Sequence, residues 1–99
     1  MAETFSRFDA ADYLDTDEGI AAYLEASAAE GDPSAMAAAL GTVARARNVS
    51  HLARETGMTR EGIYKALSAD GNPAFATVVK VAKAMGFRVV FEAMGEHAG

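Results

Sequence analysis

Apolar residues recur every three to four positions through most of this 99-residue chain, then alternate near its end. Ile20, Tyr23, Leu24 and Ser27 share one stripe and predict a helix at about 17–30, capped by Thr16 or Asp17. Gly31-Asp32-Pro33 interrupts the pattern, and Pro33 suits the first turn of a helix at about 33–46 with Met36, Leu40 and Val43 on one face. Ser50 is placed to cap a short helix at about 51–56, with Leu52 and Ala53 inward and Gly57 as its stop. Thr59 caps the next, at about 60–68, whose inner residues are Ile63, Ala66 and Leu67. Ala69-Asp70-Gly71-Asn72-Pro73 reads as a loop, and a last helix at about 74–85 aligns Phe75, Val78, Val81, Ala82 and Met85 up to Gly86. Phe87–Met94 alternates and predicts one strand. At the ends, residues 1–8 read as extended, Asp9–Leu14 as a short helical turn and residues 95–99 as a disordered tail.

Length allows one compact core, and a domain this small gains stability by pairing with another subunit. The apolar share of 51% is supplied largely by alanine, which favours closely packed helices. Absence of cysteine removes disulfides and thiolate metal sites. No apolar run reaches the roughly 18 residues of a membrane span, and no basic, apolar leader opens the chain, so a cytoplasmic protein is expected.

The net charge of −5 speaks against nucleic acid only until its distribution is read. Residues 1–32 hold nine acids against one base, whereas residues 33–86 hold seven bases against three acids. An acidic arm therefore precedes a basic body, and local sign decides where phosphate approaches.

The spacing around Gly57 carries the more specific signal. A helix-turn-helix needs a small residue where its helices cross, a turn residue tolerant of positive φ, and a branched apolar plug in the second helix. Ala53, Gly57 and Ile63 meet those needs together, although an ordinary helical hairpin can share them. The second helix then presents Thr59, Arg60, Glu61, Tyr64, Lys65 and Ser68 outward, the arrangement of a recognition helix in the major groove. Arg60 is the candidate for a bidentate guanine contact. Thr59 and Ser68 suit phosphates, and Tyr64 and Lys65 suit backbone or base. Glu61 can accept from a cytosine amino group, but a pair with Lys65 four residues on is favoured. Arg45, Arg47, His51 and Arg54 are placed along the phosphate backbone, where they supply affinity and not sequence choice.

From Val49 onward, with Phe8-Asp9-Ala10-Ala11-Asp12-Tyr13-Leu14, the Leu52–Leu67 motif and Gly71-Asn72-Pro73 followed by Phe75, the chain closely resembles the addiction-module antidote proteins. These are HigA-like antitoxins with a Cro/lambda-repressor-type helix-turn-helix, and the resemblance spans about residues 5–94. It implies a mostly α fold: a lambda-repressor-like helix-turn-helix bundle with one C-terminal β-strand. Residues 1–32 would form an acidic N-terminal arm and helix, and 33–94 the DNA-binding domain. It further implies an antitoxin that binds and neutralises a RelE/HigB-like toxin and represses its own operon, usually as a dimer. The DNA-reading helix maps onto Arg60–Ser68, and no catalytic residue carries over. Ser50-His51-Leu52-Ala53 departs from the wider pattern in lacking a glutamine-bearing lead-in; His51 stands in that neighbourhood.

RNA-cleaving toxins need basic surfaces, so the acidic arm offers a complementary one, with Phe5, Phe8, Tyr13, Ile20, Tyr23 and Leu24 as apolar anchors. Equally, that helix can pack on its own domain while its acids face solvent. The lone strand needs a partner, which a second copy would supply through Phe87, Val89 and Phe91; residues 5–8 or a toxin's sheet edge are the alternatives. His51 and His97 stand too far apart to suggest a metal site or a general base, Asp15-Thr16-Asp17-Glu18 lacks the ligand order of a calcium loop, and Met36, Met58 and Met85 read as core filling. No cofactor, metal or catalytic activity is expected. Two other readings remain open: a free-standing Cro-type regulator without a toxin, and a protein-interaction module with no working DNA face.

Overall fold

The computed structural model describes residues 14–95. Among them, five helices follow in order: α1 (Asp17–Ala29), α2 (Pro33–Ala46), α3 (Val49–Thr56), α4 (Arg60–Ala66) and α5 (Phe75–Ala84). α1 packs on α2, α2 also meets α3 and α4, and α3 touches both α4 and α5. α2 and α3 thus occupy the centre. Every helix sends residues into one cluster, which joins Ile20, Leu40, Val43, Leu52, Ile63, Val81 and Met85 with Leu14 and Leu67. No polar or charged residue is buried among the described residues, so the body is held by apolar contact.

Side chains set four of the five helix starts. The Gly19 amide donates to Thr16 Oγ1 at 3.0 Å, that of Ser34 to Asp32 Oδ1 at 3.1 Å, and that of Gly62 to Thr59 Oγ1 at 2.9 Å. Thr16 and Thr59 are the caps expected for their helices. For α3 the expectation of Ser50 is corrected. The His51 amide donates to Asn48 Oδ1 at 3.1 Å, and the helix begins at Val49. That earlier start brings Val49 against the core. α4 ends at Ala66, two residues short of the expected limit, because Leu67 leaves helical geometry at φ −100° and ψ 58°.

Two glycines carry distinct duties. Gly57 follows α3 at φ +75°, a left-handed conformation that any side chain would strain. Gly41, in the middle of α2, has an ordinary backbone but faces the carbonyl of Leu67, so a Cβ there would collide with main chain. The close passage of α2 over the end of α4 is built on that missing atom.

Two expectations fail at the C-terminal side. Phe75, assigned to the inner stripe of the last helix, is 64% exposed. Among the helices α5 meets α3 alone, and in its first turn Val78, not Phe75, reaches the core, while Val81, Ala82 and Met85 are buried. The predicted strand Phe87–Met94 is not formed among the described residues. A strand needs a neighbour for its N–H and C=O groups, and none is present among them. Instead the Phe87 amide turns back to the Ala82 carbonyl at 2.8 Å and the Gly86 amide to that of Lys83 at 3.0 Å, a Schellman closure of α5. Phe87 is half-buried against the core, and the chain beyond it is exposed. The helical turn expected at 9–14 falls outside the described residues except for Leu14, which is buried. Residues 96–99 of the expected tail, His97 among them, also fall outside.

Candidate nucleic-acid interface

α3 and α4 form a compact unit whose inside and outside differ sharply. The Gly57 amide closes α3 on the Ala53 carbonyl at 2.9 Å, and the left-handed turn then swings the chain into α4. Ile63 is fully buried, Leu67 nearly so, and Ala53 packs against the same cluster. With Ile63 and Leu67 one turn apart on the buried stripe, positions 61 and 65 point away from it, 64 lies on its flank and 60, in the first turn, stands at its edge. Arg60, Glu61, Tyr64 and Lys65 are all exposed, and Ser68 is half-buried.

The Arg60 guanidinium lies 3.5 Å from Ser50 Oγ, which accepts a long hydrogen bond from Nη1. At that length the bond adds little energy. Its value is geometric, since it brings the first turn of α4 beside the first turn of α3. His51 is exposed in the same turn of α3. The expected pair between Glu61 and Lys65 does not form among the described residues, leaving both groups in solvent. Thr59 is exposed, with its oxygen accepting from the Gly62 amide, and Ser68 donates its hydroxyl to the Lys65 carbonyl at 3.0 Å. Both hydroxyls therefore serve helix ends, although Thr59 keeps its own O–H free to donate.

The remaining cations are dispersed. Arg45 is exposed near the end of α2. Arg47, expected along the phosphates, instead faces the first residue of α1, with Nη2 3.6 Å from Asp17 Oδ1. Its side chain is 34% exposed and that of Asp17 78%, so the pair stands largely in water and contributes at most about 1 kcal/mol. Arg54 belongs to a third place: a shallow cleft between the end of α3 and α5, lined also by Lys80 and Lys83. Those lysines were absent from the candidate residues. Their signal was spacing, since positions three apart on a helix share a face.

The arm's apolar residues are used differently from one another. Ile20 is fully buried in the domain core, which corrects its assignment as an anchor for a partner. Tyr23 and Leu24 are partly buried against the same core. Phe5, Phe8 and Tyr13 fall outside the described residues. Asp17, Glu18, Glu25 and Glu30 remain exposed along α1. No described helix is long and apolar enough to cross a membrane, and no acidic, histidine or cysteine group among the described residues could hold a metal ion.

A small helical body whose exposed cations are spread over several helices, Arg60 and Lys65 on α4 among them, is the class that this geometry defines. Over residues 4–93 the sequence matches the family described as "Probable addiction module antidote protein", and the chain belongs to that family. It is also similar to an uncharacterized protein of Haemophilus influenzae, with 49% identity over 85 residues that cover 86% of this chain and 88% of that protein. No solved structure matches it significantly.

Proposed function

We propose that this chain is a non-enzymatic, cytoplasmic antitoxin of the HigA type that neutralises a small basic RelE/HigB-like toxin and represses its own operon. Family membership supports the antidote role and implies a toxin as partner. For DNA, the supporting observation is the disposition of α4. Ile63 and Leu67 are sunk in the core while Arg60, Tyr64 and Lys65 stand in solvent, with Arg60 brought against the start of α3. In this reading α3, Gly57 and α4 are a helix-turn-helix of the Cro/lambda-repressor type and α4 enters the major groove. Arg60 reads a guanine edge, Tyr64 and Lys65 reach base or backbone, and Ser50, His51, Thr59 and Arg45 contact phosphates. Two copies would read half-sites about one helical turn, roughly 34 Å, apart. The toxin meets the exposed acids of α1, where opposite charge speeds encounter and competes with RNA for the toxin's basic surface.

The DNA arm is tested by titrating labelled upstream DNA with the wild-type chain and with Arg60→Ala. Loss of about 1–3 kcal/mol on the preferred sequence, and much less on unrelated DNA, is expected. An unchanged binding profile on all sequences rules out base reading by Arg60. The toxin arm is tested by co-expressing the adjacent reading frame. Growth rescue together with a stable complex is the expected result, and failure of both removes the antidote reading.

A further inference from the structure

The cleft between the end of α3 and α5 gathers more positive charge than its surroundings answer. Arg54 enters from the last turn of α3, and Lys80 and Lys83 from one face of α5, around a volume of about 630 Å³. All three cations are exposed, and none pairs with a carboxylate among the described residues, although Glu55 lines the same cleft. We propose that this cleft binds a run of phosphate groups through charge and the Arg54 fork, as an anion site apart from α4.

Helix dipoles account for part of the arrangement. Arg54 and Lys83 stand in last turns, where the terminal carbonyls favour a cation. Lys80 lies before the last turn of α5, and no dipole requires the cations of two helices to converge on one hollow. The chain has acids to spare at a net charge of −5, yet Asp17, Glu18, Glu25 and Glu30 lie along α1, which meets α2 alone among the helices. Cations left together in a hollow focus their field on whatever anion enters it.

The lining narrows the choice of anion. No aromatic residue lines the cleft among the described residues, so a nucleic-acid base has nothing to stack on. Thr56 is already committed, its hydroxyl donating to the Leu52 carbonyl at 2.7 Å and accepting from the Met58 amide at 3.3 Å. Gly57 brings no side chain, and the space a Cβ would occupy there is open. Recognition therefore falls to the three cations. A guanidinium fork matches two oxygens of one phosphate, and the two ammonium groups act as point charges for its neighbours. Cations spread over a hollow of this size suit several phosphates in a chain better than one. No residue of α4 lines the cleft, and α4 and α5 do not touch, so α3 separates this site from the helix proposed to read DNA.

The test titrates the full chain with inorganic tripolyphosphate and, separately, with orthophosphate, following backbone amide shifts by NMR. Tripolyphosphate is expected to bind at least about tenfold tighter and to shift amides at 54–57 and 80–84. Lys80→Gln, Lys83→Gln and Arg54→Gln should each weaken it about three- to tenfold, whereas Arg60→Gln should leave it within about twofold. All four side chains are exposed, so the variants keep the fold. Single-stranded oligothymidylate separates the sources of the phosphate run. Displacement of tripolyphosphate by the oligonucleotide names a nucleic-acid backbone as ligand, and no displacement names a free oligophosphate. No binding of tripolyphosphate, equal affinity for one phosphate and three, a loss with Arg60→Gln as large as with Lys80→Gln, or a hexaglutamate peptide binding as tightly would each overturn the proposal. None of those results touches the reading of DNA by α4, which is judged by Arg60→Ala on duplex DNA.

Discussion

Helix α4 and the segment Phe87–Met94 have comparable length and comparably regular apolar spacing, yet only the first is folded within the described chain. Ile63 and Leu67 find Leu52 of α3 and Val43 of α2 waiting for them, and the helix satisfies its own backbone bonds meanwhile. Val89 and Phe91 find nothing comparable, and a strand cannot close its bonds alone. Periodicity declares which face wants burial. Whether that want is met depends on what the rest of the chain can bring to it, and a helix tolerates the wait far better than a strand.

The most forceful way to break the comparison is to remove what holds α4. Ile63→Ala leaves a cavity at a fully buried site and should cost about 2–5 kcal/mol in urea unfolding, with α4 losing amide protection first. Next comes Gly41→Ala. In an isolated helix it would gain about 1 kcal/mol, but here the new Cβ meets the Leu67 carbonyl, so a net loss of about 1–2 kcal/mol is expected. Asn48→Ala should cost about 1 kcal/mol by removing the α3 cap, whereas Ser50→Ala should stay within about 0.5 kcal/mol. A larger loss at Ser50 would return the cap to that position. Smallest of all, Phe91→Ser should leave the unfolding free energy of dilute, monomeric protein within about 0.5 kcal/mol of wild type, since the ring is 91% exposed. A loss above 2 kcal/mol there would mean that the segment packs on its own subunit.

The site divides along similar lines. Ala53, Gly57 and Ile63 could be assigned from spacing because each answers a local demand: a crossing, a left-handed turn, a plug. Arg60 and Lys65 followed as the residues such a plug leaves outside. Arg47 went otherwise, since its ion pair with Asp17 joins residues thirty positions apart, and nothing in the local pattern announces that α1 begins beside the end of α2. Ile20 shows the same gap from the apolar side. On the stripe it is indistinguishable from Tyr23 and Leu24, and only the packing of α1 on α2 decides that it is wholly enclosed while they are not.

By itself, the order of residues determined where five helices run, which face of each is apolar, and that Gly57 and Gly86 end helices, because turn chemistry, capping and periodicity act over four residues or fewer. Tertiary structure alone decided that Gly41 lets α2 pass over α4, that Phe75 stays wet, that Arg54 joins Lys80 and Lys83 across a cleft, and that Phe87–Met94 is left without a ladder. Each of those outcomes depends on contact between residues far apart in sequence, where geometry and not composition determines which groups meet.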